Sequence, residues 1–171
     1  MRSKRRSGTA STDVAWPSVV VDGWRSPAVA AEGLRALVAA TLSERTAEPG
    51  RALARVFLAE EDTDVAALRA STAVAVLLGW LVGAREHLED ASAGPAAVDW
   101  VRTSLGTDEA GQALTLAGAL DHPLAPQLTM AGAVERLGDA LLPALLWLVA
   151  GLTATAGAGD PDWLGRFEPR A

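Results

Sequence analysis

The sequence predicts an all-α protein: a single compact bundle of about six or seven helices with an extended N-terminal arm. Three observations lead there. The chain has no Ile, Asn, Tyr or Cys, and about a fifth of it is Ala. A chain rich in Ala, Leu, Arg and Glu, lacking Ile and Tyr, favours helix over strand. From Ser26 to Thr155 nearly every segment repeats apolar residues at three- and four-residue spacing. Its 171 residues suit one domain, and no fixed-period repeat suggests a solenoid. The missing residue types Ile, Asn and Tyr have AT-rich codons, and the only Lys is Lys4, so the composition points to a GC-rich bacterial genome.

Taken in order, residues 1–13 read as a disordered basic tail and 14–25 as an extended arm. The arm is the one stretch with strand character, but Pro17 splits it and Asp22-Gly23 marks a turn. Trp16 and Trp24 are expected to lie on the helical body. Residues 26–156 form the bundle. Ser26-Pro27 opens its first helix, with Ser as N-cap and Pro at the first helical position. Ala30, Leu34, Leu37, Val38 and Leu42 share its buried face, and Glu48-Pro49-Gly50 is expected to stop it. A shorter helix then turns Leu53, Val56 and Phe57 inward.

Asp62-Thr63-Asp64 caps a third helix. Leu68, Thr72, Val76, Trp80 and Leu88 recur along one face, and Val74, Leu78 and Val82 add a second. A helix apolar on nearly all sides is expected at the centre of the domain. Pro95 to Leu105 makes a short helix carrying Val98, Trp100 and Val101. The next runs to about Leu120, with Leu114, Ala117 and Leu120 in register. Asp121-His122-Pro123 is a turn, because the residue before Pro is pushed out of helical geometry. Helices from about Leu124 to Leu137 and from about Asp139 to Thr155 follow, the latter with Pro143 in its first turn. Residues 157–171 read as a C-terminal tail whose Trp163 and Phe167 can fold back onto the bundle.

The formal net charge is -6, although Arg2, Lys4, Arg5 and Arg6 crowd the start. The body is therefore distinctly acidic, which argues against specific nucleic-acid binding. Ser7 to Asp13 is small and polar where a secretory signal needs an apolar run. Absence of Cys fits a reducing cytoplasm, the expected location. Two stretches carry no charge, Ala70 to Ala84 and Ala140 to Gly159. The first spans about 22 Å as a helix, short of a hydrocarbon core of roughly 30 Å. The second loses its Leu-rich character after Leu152. Buried core is the favoured reading of both, and membrane association the alternative.

Chemistry is scarce. Glu-x-x-His, His-Glu-x-x-His, nucleophile-elbow and phosphate-loop patterns are all missing. Glu86, Glu89 and Asp90 share a helix face, but His87 points about 100° from Glu86, so the cluster reads as a solvated helix exit. No catalytic residue, metal site or cofactor is expected. The acidic run at Glu60 to Asp64 lacks the spacing of a calcium loop.

Two constellations remain. Ala75, Gly79 and Gly83 form a small-residue line beside Trp80, and with Trp147 they mark a possible core or pocket. Trp16, Trp24, Trp100 and Trp163 lie near segment ends, where half-exposed Trp can anchor a protein interface. The expected role is a non-enzymatic binding or assembly module acting through protein partners or self-association. The alternatives are a small-molecule sensor or carrier with an apolar pocket at the central helix, and a membrane-associated factor.

Overall fold

The computed structural model describes residues 19–88, 92–120, 132 and 134–168. Trp16, Glu89, Asp90, Asp121, His122 and most of the helix expected at 124–137 lie outside the described residues. Helix α1 is Pro27–Glu44, α2 Glu48–Ala59, α3 Thr63–His87, α4 Ala93–Ser104, α5 Thr107–Leu120 and α6 Leu141–Thr155. Short 3₁₀ segments occupy Gly138–Ala140 and Pro161–Phe167. The helices pack against one another as one all-α bundle, and no strand occurs among the described residues.

The helix boundaries follow from side-chain chemistry. Pro27 sits at the start of α1, where its missing N–H costs nothing, although Ser26 makes no side-chain cap bond. Glu48-Pro49-Gly50, expected to end α1, instead forms the first turn of α2. Proline is as well suited to a helix start as to a stop, and α1 has already ended with Arg45 in left-handed geometry. Asp62 caps α3 as its sequence foretells, its Oδ1 accepting from the amides of Asp64 and Val65 at 3.1 and 3.2 Å. At the N-terminal end, the amide of Trp24 donates to the Val21 carbonyl at 3.1 Å, closing the turn at Asp22-Gly23.

The centre of the bundle is α6. Every residue from Leu142 to Thr153 is buried, and α1, α2, α3, α4 and α5 all pack against it. Leu145, Leu146, Leu148, Val149 and Trp147 are almost fully enclosed, and each such side chain contributes about 1.5–3 kcal/mol of burial energy. The helix meets α4 closely at Gly151, where an added Cβ would lie 2.5 Å from the Ala97 carbonyl oxygen. Pro143 stands in the first turn of α6 and does not interrupt it.

The expectation that the third helix is central is therefore corrected. Its buried residues are Ala73, Leu77, Trp80, Leu81 and Ala84, a single stripe facing α1 and α6. Leu68 and Val82 are 47% and 44% exposed. Both faces of α3 are apolar, so periodicity shows that it is apolar all round but not which face finds a neighbour. In α5 the expected register holds for Ala117, which is buried, and for Leu120, which packs on the core, but Leu114 is exposed and Ala110, Ala113 and Leu116 take the buried face.

Candidate functional site

Of the four residues grouped as a core or pocket, Trp80 and Trp147 belong to the hydrophobic core, whereas Gly79 is exposed and Gly83 is half-buried. Trp80 is buried in the stripe of α3, and its indole N–H meets no acceptor among the described residues. Gly79 lies one position round the helix, exposed, with open space where a Cβ would stand. Gly83 sits beneath Phe167, whose Cβ lies 2.8 Å from a Cβ built there. Trp147 enters the same core from α6, where its indole N–H donates to the Ala47 carbonyl at 3.2 Å and Gly50 makes room for the ring.

The Trp residues grouped as interface anchors also divide. Trp24 is 2% exposed, laid over Gly33 and edge-on to Phe57 at 6.3 Å. Trp163 is 8% exposed, against Gly157 and edge-on to Phe167 at 4.8 Å. Both serve the core, because turns on either side fold these chain-end residues back onto helices. Trp100 on α4 is half-buried.

The C-terminal 3₁₀ segment is fastened by these rings. Phe167 rests on Gly83 and on the His87 ring, 5.7 Å between centroids, and Arg35 pairs with Glu168 just beyond. The largest polar cluster links α2, α5 and α6. Glu109, 8% exposed, pairs with Arg51. Arg51 also reaches Glu48 at 3.1 Å and lies 6.0 Å from the Trp147 ring. Arg55 completes the chain to Glu48 at 3.4 Å. Each acid has a base and each base an acid, with no nucleophile beside them, so the cluster holds helices together.

Glu86 and His87 are exposed at the end of α3. Among the described residues no three His, Asp or Glu side chains are grouped to hold a metal ion.

One feature of α3 stands apart from the packed interior. Asp64, Leu68, Ser71, Ala75, Gly79, Val82 and Glu86 follow one another at three- and four-residue steps, and all are exposed. Between Leu68 and Val82 this face carries no charge over about 21 Å of helix. Small side chains at its middle leave the backbone open to close approach. The small-residue line seen in the sequence runs obliquely across it: Ala75 and Gly79 lie on the open face, and Gly83 at its edge already takes Phe167. By length and composition α3, and the helical stretch Val134–Thr155 that contains α6, could each cross a membrane. The second is mostly buried within the bundle, whereas α3 is not.

No protein-family model, no curated protein and no solved structure matches this sequence.

Proposed function

We propose that this protein is a non-enzymatic helical binding module that receives, on the outer face of α3, an apolar helix with basic flanks from a partner protein. The open uncharged face from Leu68 to Val82 carries the reading. Contiguous exposed apolar surface is costly in water and marks a binding site when it is rimmed by polar residues. Gly79 and Ala75 allow a partner helix to approach closely, in the manner of small-residue helix pairs.

Charge selects the partner. Asp64 closes one end of the face and Glu86 the other. Two copies paired antiparallel would set Asp64 against Glu86, and a parallel pair would set each acid against itself. The net charge of -6 adds a weaker general repulsion between copies. A helix flanked by Lys or Arg satisfies both ends, and complementary ends also raise the rate of encounter. The same acidity disfavours nucleic acid. A cytoplasmic setting is part of this reading and rests on the lack of Cys.

Light scattering on purified protein, paired with affinity capture from the native host, provides the test. The expected result is a monomer in isolation that captures a protein containing an apolar helix with basic flanks. Leu68→Glu should abolish capture without lowering the melting temperature. A stable homodimer, a partner without that pattern, capture unaffected by Leu68→Glu, or partition into lipid vesicles in place of protein binding would each overturn the proposal.

A further inference from the structure

A second feature lies away from α3, where the ends of α1 and α6 meet α4. Leu42, Ser43, Arg45, Trp100, Ala158 and Pro161 line an open depression of about 380 Å³, at the small end of the range for ligand sites. Among the described residues, Arg45 and Ala158 are the non-glycine positions with positive φ, at 50° and 56°, and both line this depression.

Arg45 is the informative one. A left-handed residue just past a helix is usually Gly, which adopts that geometry without a Cβ clash. This chain has 16 Gly and uses them at positive φ at positions 23, 106, 138 and 159. At position 45 it carries Arg instead and accepts the backbone strain. Among the described residues nothing uses the side chain: Arg45 is exposed and makes no ion pair or side-chain hydrogen bond with them. Arg35, Arg51, Arg55, Arg69 and Arg102 are paired with acids, whereas Arg45 shares its lack of an acidic partner among the described residues with the exposed Arg25 and Arg166 and differs from them in its left-handed backbone and its place in the depression. The half-buried Trp100 supplies an aromatic wall to the same depression.

We propose that this depression, rimmed by Arg45 and walled by Trp100, binds a small organic carboxylate with a flat apolar body. A guanidinium presents paired N–H donors that match the two oxygens of a carboxylate. A flat apolar body suits the Trp100 face and the Leu42 and Pro161 side chains. The C-terminal ends of α1 and α6 both border the depression, and helix C-termini carry partial negative charge. That field disfavours any anion, a dianion more than a monoanion, so the Arg45 guanidinium has to outweigh it and a single carboxylate is the anion the field opposes least.

Calorimetry and ligand-observed NMR on the full chain, with naphthoate and the neutral naphthamide as probes, test the assignment. Naphthoate should bind saturably, and naphthamide at least about tenfold more weakly, the loss expected when a charge-assisted hydrogen bond is removed. Arg45→Gly relieves the left-handed residue, so it should melt no lower than the parent while losing naphthoate affinity by a similar factor. Trp100→Leu should weaken both probes. Equal affinity for acid and amide, no saturable binding of either, or full naphthoate binding by Arg45→Gly would overturn the proposal.

Discussion

Individual residues in this chain are set by the space next to them more than by their type. Gly79 and Gly151 are both helical glycines, yet they should respond oppositely to Ala. At Gly79 a Cβ meets open space, so Gly79→Ala should stabilise by about 0.5–1 kcal/mol through the usual helical preference. At Gly151 a Cβ meets the Ala97 backbone, so Gly151→Ala should destabilise by about 1–3 kcal/mol as α4 and α6 are forced apart. Chemical denaturation of the two variants reads both signs. The two core tryptophans on α3 and α6 give a second contrast. Trp147 donates a hydrogen bond to Ala47, while the Trp80 N–H is buried without an acceptor among the described residues. Trp147→Phe should therefore cost more than Trp80→Phe, by about 1–2 kcal/mol, since only the first removes a formed bond and the second also removes an unsatisfied donor. None of these distinctions is visible in sequence. The same is true of Arg45: its left-handed backbone is the signal that draws attention to it, and its sequence neighbourhood of Glu44 and Thr46 carries no motif.

At the scale of the helix, existence and rough extent were legible in the sequence and rotation was not. Asp62 as a cap, Pro27 as a first helical residue and the Leu-rich run after Ala140 each have a local physical cause and act as the residues alone suggest. The Glu48-Pro49-Gly50 signal is ambiguous because proline suits both a boundary and a first turn. On α3 and α5 the apolar residues exceed what one buried stripe needs, so the choice of face depends on neighbours that are far away in sequence. The register of α3 can be checked directly. Leu77 is fully buried and Leu68 is 47% exposed. Leu77→Asp should cost several kcal/mol, enough to unfold a typical domain, because it buries an unpaired charge. Leu68→Glu should stay within about 0.5 kcal/mol. Comparable melting temperatures for the two variants would show that α3 is rotated from its described position.

For the molecule as a whole, the architecture is a sheath of helices around α6. This inverts the expectation drawn from α3, and it follows from hydropathy at close range. From Leu142 to Leu152 α6 has no charge and can be enclosed completely, whereas α3 enters and leaves the bundle through Asp64 and Glu86 and keeps one side in water. That leftover side is where the functional reading rests, and composition alone, with two His and no Cys, had already directed attention to association over catalysis. Which side of α3 stays in water is visible only once its neighbours are known. Of the sequence's Trp anchors, Trp24 and Trp163 belong to the core, and Trp100 faces a depression of different chemistry. The proposed partner helix would seat on the outer face of α3. Hydrogen–deuterium exchange on the free chain and on the isolated complex tests it most directly. Exchange should slow on binding within residues 68–82, with α6 unchanged because it is already enclosed. Protection confined to other helices, with α3 exchanging as it does in the free chain, would contradict the account.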